Sequence, residues 1–202
     1  IVNDEDMDKQ LIFYTSLYHA CTVPNVASDV DGRYRGTDLQ VHQLGEDDGL
    51  QYTVFSLWDT FRSLHPLLSW IEPGRTRDLV RTMLRMYKEG GQLPVWELAA
   101  NYTGCMIGYH SVPAISDAKA WGISGFDEEL ALEAMVQAAD SAHLGLDIYA
   151  ELGFIPSERE SEGTSKTLEY CFDDACIAQF ASSLGNAEAD SISERFRLRA
   201  LS

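Results

Sequence analysis

Polar and aromatic side chains are densest in the run Leu93-Pro94-Val95-Trp96-Glu97-Leu98-Ala99-Ala100-Asn101-Tyr102-Thr103-Gly104-Cys105-Met106-Ile107-Gly108-Tyr109-His110. An indole such as Trp96 offers a flat apolar surface to the C–H face of a sugar ring, while Glu97, Asn101 and His110 supply groups that hydrogen-bond hydroxyls. The same residues also suit a structural role, with Trp96 in a core, Glu97 capping a helix and His110 satisfied by a backbone carbonyl. Trp58-Asp59 again sets an indole beside an acid, and core packing and capping account for those residue types too. Glu169 and Asp173 stand four apart and so share one face of a helix, where a buried polar network explains them more simply than a catalytic pair.

Asp29-Val30-Asp31-Gly32-Arg33-Tyr34-Arg35-Gly36 begins like a calcium loop, but its glycine comes too early and no bidentate glutamate follows at the twelfth position. Asp29 and Asp31 are expected to pair with Arg33 and Arg35 as a loop lock. His19, His42, His65, His110 and His143 lack the spacing of metal ligands, so no metal site is expected within the chain. Cys21, Cys105, Cys171 and Cys176 form no Cys-x-x-Cys pair and are expected as buried thiols. Asn101-Tyr102-Thr103 has the form of a glycosylation acceptor, a match read as chance.

These residues must be positioned by a scaffold, and 202 residues, 45% of them hydrophobic, suffice for one folded domain. With 15 basic against 32 acidic residues, net −17, the surface repels phosphate backbones and anionic membranes, so neither nucleic acid nor membrane is expected as a partner. No run has the length of a transmembrane helix, and Ile1 to Asp6 carries no signal-peptide pattern.

Periodicity predicts a helix over 5–22, then a turn-rich segment from 28 to 55 with a short β-hairpin insertion, its strand-like pieces at Leu39–His42 and Tyr52–Phe55. Helices follow over 56–70, 75–89, 104–121, 127–142 with Asp127 as N-cap, and 164–183; Ser191-x-x-Glu194 resembles a capping box opening a last one. Pairs opening near residues 56, 104 and 164 recur about every 50 residues, the pattern of stacked αα-hairpins. The expected fold class is mainly α, a portion of a ring of helix pairs.

Four segments in a fixed order resemble glycoside hydrolase family 92: Ser28 to Gly36, Phe55-Ser56-Leu57-Trp58-Asp59-Thr60-Phe61-Arg62, Trp96 to His110, and Ser165-Lys166-Thr167-Leu168-Glu169-Tyr170 with Asp173-Asp174. The resemblance spans about residues 9 to 185. Ala100 stands where the family pattern has glycine. The resemblance implies a calcium-dependent, inverting, exo-acting α-mannosidase working on mannan or N-glycan chains, periplasmic or secreted, built as a β-sandwich domain followed by an (α/α)6 toroid. On that basis residues 1–202 are a partial toroid, lacking the β-sandwich domain and the C-terminal half.

The resemblance also implies that Trp58 and Asp59 contact the terminal mannose, with Trp96, Glu97, Asn101 and His110 as further substrate-binding candidates. Asp29, Asp31, Arg33, Arg35, Glu169 and Asp173 are expected as a structural polar network. The general acid, the general base and most Ca2+ ligands are expected beyond Ser202, leaving Glu97 and Glu169 as the in-chain catalytic candidates. The partners implied are an α-mannoside glycan and the remaining domains of the same polypeptide, and the piece alone is expected to be inactive. A non-catalytic helical carbohydrate-binding or interaction protein is the alternative.

Overall fold

The structure is a computed structural model and describes residues 3–201. Helix α1 (Met7–Ala20) is capped by the Asp6 carboxylate and leads to strand β1 (Asn25–Val26). The hairpin of β2 (Arg33–Arg35) and β3 (Val41–Gln43) follows, then β4 (Tyr52–Thr53), which pairs antiparallel with β1. Strand β5 (Phe55–Ser56) joins β6 (Trp96–Leu98) and β7 (Asn101–Tyr102) in a three-stranded antiparallel sheet. A hairpin is thus present within 28–55, but β3 pairs with Arg33–Arg35, a strand not expected from the sequence, while the piece at Tyr52–Thr53 pairs with β1. Val54, with φ 68°, divides the single strand expected over 52–55 into two.

The rest is helical: α2 (Leu57–Thr60), α3 (Leu64–Ile71), α4 (Pro73–Gly90), α5 (Ser111–Ala120), α6 (Glu128–Ala139), α7 (Leu146–Leu152), α8 (Gly163–Ser182) and α9 (Ala187–Arg199). Helices α3, α5 and α8 pack side by side, backed by α4, α6 and α9, so three αα-hairpins stack in two layers as a portion of an (α/α) toroid. The core between the layers contains Leu68, Leu79, Met83, Ile115, Met135, Ile177, Phe180 and Phe196, all 0–1% exposed. Along the α3, α5 and α8 layer runs a groove of about 420 Å³ bordered by Pro66, Pro113, Asp117 and Phe172. No helix among the described residues is long and apolar enough to cross a membrane.

Several boundaries differ from the sequence expectation for identifiable reasons. The helix expected over 56–70 is interrupted between α2 and α3, because Pro66 in the first turn of α3 cannot donate to a preceding carbonyl and its ring blocks an upstream turn. Helix α5 starts at Ser111 rather than 104, since Gly104, Met106 and Gly108 take φ values of 68°, 69° and 81°, incompatible with a right-handed helix. Asn186 caps α9 through Ala189 N at 2.9 Å, so Ser191-x-x-Glu194 lies inside the helix. Helix α7 had no predicted counterpart; it is enclosed by Gly145 and Gly153, at φ 80° and 76°. Cys105 is exposed and the other three cysteines half-buried, because Cys105 lies on the surface loop before α5.

Helix α1 has no buried residue, leaving Met7, Leu11, Ile12 and Tyr18 more than 60% exposed. Its C-terminal end is tied down by Arg75, whose guanidinium donates to the carbonyls of Cys21 and Pro24.

His65 of α3 is 2% exposed, its Nε2 has no hydrogen-bond partner, and burial pushes its pKa down to about 4. A histidine held neutral in the fold stabilises above its ordinary pKa of about 6.5 and loses that contribution as pH falls towards 4, up to about 3 kcal/mol. Urea unfolding at several pH values is expected to show this acid-side loss in the native chain and a flatter profile in His65→Leu.

Candidate functional site

The cleft with the most chemically varied wall has a volume of about 500 Å³ and is bordered by Trp58, Met106, Leu144, Glu160, Lys166 and Glu169 among others. Helix α2 presents Trp58, the loop before α5 presents Met106, and α8 presents Lys166 and Glu169 one turn apart. Trp58 Nε1 donates to Glu169 Oε1 at 3.1 Å, while the Arg62 guanidinium lies 4.8 Å over the indole and 3.7 Å from the same oxygen. Arg62 also donates to the Trp58 carbonyl at 3.2 and 3.3 Å. The indole is therefore fixed in orientation, as a surface for stacking a sugar ring must be. Lys166, 1% exposed, donates to Glu160 at 2.6 Å, and that bond lowers the Glu160 pKa.

Behind Glu169 lies a buried polar chain. His110 is fully buried; its Nδ1 is 2.7 Å from Asp173 Oδ1, so against a carboxylate Nδ1 carries the proton. Its Nε2 is 3.2 Å from Glu169 Oε2 but makes no aligned hydrogen bond. Phe61 stacks on the imidazole at 4.1 Å between centroids, and a Cβ at Gly108 would meet Nε2 at 2.3 Å. The ring is thus confined closely. Burial raises the Asp173 pKa, opposed by hydrogen bonds from His110 and from Tyr109 N at 2.8 Å. Asp174 accepts from Tyr109 Oη at 2.5 Å and from both Nε and Nη2 of Arg199 at 2.6 Å, tying α8 to α9.

The sheet of β5, β6 and β7 has a different character. Glu97 is 2% exposed, and its oxygens accept from Thr53 Oγ1 at 2.8 Å, Val54 N at 2.9 Å and Ala100 N at 2.6 Å. Thr53 Oγ1 in turn accepts from Ala99 N at 2.8 Å. Val54, Ala99 and Ala100 have φ of 68°, 51° and 63°, each costing roughly 1–2 kcal/mol for a residue bearing a Cβ. Ala99-Ala100 is the two-residue link between β6 and β7, where positive φ at both positions matches the strand twist. Glu97 therefore compensates strained backbone by satisfying its N–H groups. Its carboxylate borders two smaller cavities and not the Trp58 cleft.

Asn101 is exposed and donates to the carbonyls of Leu98 and Ala99 within the same turn. Trp96 is half-buried in β6 opposite Ser56, and exposed Asp59 accepts from Ser56 Oγ at 2.5 Å. Of the predicted site residues, the structure joins Trp58, Glu169, His110 and Asp173 into one network and sets Trp96, Glu97 and Asn101 on the adjoining sheet. Lys166 and Arg62 were part of the sequence motifs without an assigned role. A lysine among the apolar positions of a helix is the signal that could have marked Lys166.

In the loop of residues 29–36, Asp31 accepts from Arg33 N at 3.1 Å and Arg33 Nε at 2.7 Å, and this exposed pair lowers the Asp31 pKa. Asp29 contributes backbone bonds to Gly32 and Arg33, and Arg35 borders one of the smaller cavities. Among the described residues, Asp38, His42 and Glu89 can converge on an ion. Calcium takes six to eight oxygen ligands, and two carboxylates with one imidazole do not supply them. These three residues therefore do not make a calcium site.

Comparison with known proteins follows this geometry. The model of the glycosyl hydrolase family 92 catalytic domain matches residues 1–202. The family GH92 α-mannosidase BT3965 of Bacteroides thetaiotaomicron is 41% identical with a TM-score of 0.90, over 96% of this chain and 26% of that one. Its complex with mannoimidazole matches at 42% identity and TM-score 0.88, over 94% and 25%. The family GH92 inverting mannosidase BT2199 of the same organism matches at 34% identity and TM-score 0.82, over 93% and 26%. The chain thus spans about a quarter of the length of these structures. No curated protein matches the sequence.

Glu97→Gln sets an amide N–H2 against a backbone N–H and is expected to destabilise the chain by about 2–4 kcal/mol in urea unfolding, whereas Ala100→Gly should add about 1 kcal/mol. Gly108→Ala, driven into the His110 ring, should lower the melting temperature far more than Gly104→Ala, where a Cβ meets nothing within 4 Å and only the positive φ is penalised.

Proposed function

Because the chain belongs to glycosyl hydrolase family 92, we propose that its Trp58 cleft is part of the terminal-sugar site of an inverting, exo-acting α-mannosidase. The observation that carries this reading is the fixed indole: Trp58 borders the cleft while its N–H is held by Glu169 and its backbone carbonyl by Arg62. A related structure, BT3965, binds mannoimidazole, which supports an α-mannoside as the ligand class here. Ser165 and the exposed part of Glu169 supply hydrogen-bonding groups for ring hydroxyls. Trp96, Asn101 and Asp59 do not border this cleft, and Glu97 supports the adjoining sheet.

The general acid and base belong, on this reading, to polypeptide outside these residues. Glu160 is neutralised by Lys166, and Glu169 is already engaged by Trp58 and Arg62 and lies beside His110. Neither is a free carboxylate placed to protonate a leaving oxygen. An inverting pair stands about 6.5–9.5 Å apart with water between them. The contribution of the present chain is to orient the sugar, exclude water from the apolar side of the ring and hold Glu169 beside its donors. Residues 1–202 accordingly make up part of an (α/α)6 catalytic domain, with mannan or N-glycan chains as substrates and a periplasmic or secreted location. Calcium is assigned to residues elsewhere in the polypeptide.

A polypeptide that carries these residues within a complete family 92 enzyme is expected to hydrolyse an aryl α-mannoside, with Trp58→Ala lowering kcat/KM by at least about 100-fold, a loss of roughly 2.7 kcal/mol in transition-state binding. Hydrolysis at the full rate by the 202-residue chain alone would overturn the placement of acid and base, and saturable mannose binding by it without hydrolysis would favour a carbohydrate-binding role.

A further inference from the structure

The β2–β3 hairpin folds back over the C-terminal turn of α4, and three side chains meet where they touch. Asp38 lies in the hairpin turn, His42 on β3 and Glu89 on α4; one nitrogen or oxygen from each lies within 4.8 Å of the others. His42 Nε2 is 2.9 and 3.0 Å from the two Asp38 oxygens. Glu89 is held in place by Tyr34 Oη, which donates to Oε1 at 2.6 Å, and by Thr37 N, which donates to Oε2 at 3.2 Å. The Tyr34 ring also stacks on His42, with centroids 5.5 Å apart.

Gly36 sits at the point of convergence. A Cβ there would lie 2.6 Å from Glu89 Oε2, 2.7 Å from Asp38 Oδ1 and 2.7 Å from His42 Cδ2. The absence of a side chain at this position lets all three groups approach one another. Residues 36, 38, 42 and 89 come from two segments about 50 positions apart, so the convergence is tertiary and not a local turn motif.

We propose that Asp38, His42 and Glu89 form a site for a divalent transition metal of the zinc class. An imidazole nitrogen and two carboxylate oxygens, without thiolate, are donors that zinc accepts in three-ligand sites, with water in the fourth position. Bonds of about 2.0–2.1 Å in a tetrahedron set the ligand atoms about 3.4 Å apart. His42 Nε2 stands 2.9 Å from Asp38 Oδ1 and the three ligand atoms lie within 4.8 Å of one another, a range that brackets this spacing. Tyr34 Oη, bonded to Glu89 Oε1, supplies the outer hydrogen bond that orients a ligating carboxylate. The metal would clasp the insertion hairpin to α4, next to the cavity bordered by Thr37, Met86 and Glu97. The site lies outside the sugar cleft.

The test is calorimetric titration of the chelator-stripped 202-residue chain with zinc sulfate, accompanied by the visible spectrum of the cobalt(II) form. One equivalent should bind with about micromolar affinity or tighter, raise the melting temperature, and give a cobalt spectrum without thiolate charge transfer. His42→Ala and Asp38→Asn should each weaken binding at least about tenfold, Cys105→Ser should leave it unchanged, and excess calcium should not compete. Glu89→Gln also removes acceptors for Tyr34 and Thr37, so it is compared with Asp38→Asn, which leaves both bonds in place. Binding that survives His42→Ala, or that is lost in Cys105→Ser, would show an adventitious ion only; absence of binding would refute the site outright.

Discussion

A carboxylate with no access to water must be met by donors from within the protein, and Asp173 imposes that requirement on everything around it. It takes one donor from the imidazole of His110 and one from the backbone of Tyr109, two consecutive residues just before α5. Because both partners belong to the same short segment, the end of the loop before α5 is locked to the middle of α8. The loop residues Gly104, Met106 and Ile107 and the α8 residues Ser165, Lys166 and Glu169 are thereby held as opposite walls of one cleft. Removing one partner would leave charge buried without compensation, which is far costlier than the bond itself is worth. Asp174, facing the other way, repeats the arrangement with Arg199 and fastens the outer helix α9. Two adjacent acids thus secure the two layers from a single turn of helix.

A second centre of constraint is Glu97, and it works on the backbone. Three residues that bear a Cβ take left-handed conformations around it, and Glu97 and Thr53 between them accept the N–H group of each. The strain lies in the links beside the strands that carry Trp96 and lead into Trp58, at Val54 and at Ala99-Ala100. An acid found among aromatic residues is easily taken for a substrate contact. The distinction from a structural acid lies in the count of donors already committed, which only the folded arrangement reveals.

That difference shows how far sequence could go. The helical class and the pairing of helices followed from apolar periodicity and from Pro and Gly punctuation, which act locally and are visible in order along the chain. Boundaries failed where a non-glycine residue adopts a conformation that its type does not advertise, as at Met106 and Val54. Helix α7 was missed because its seven residues are too few to establish a period. The relation of Trp58 to Glu169, 111 positions apart, depends on tertiary packing, and family motifs could only bring the two onto the same short roster. Asp38, His42 and Glu89 lay in no motif at all, since their association arises from a hairpin folding onto a distant helix.

Helix α1 has a practical consequence. A helix of fourteen residues, none of them buried, holds its form weakly in water, and here it displays large apolar side chains, with Arg75 bonded to the carbonyls just past its end. Exposed apolar rows of this kind favour contact with another surface, a neighbouring element or a second copy, over contact with water.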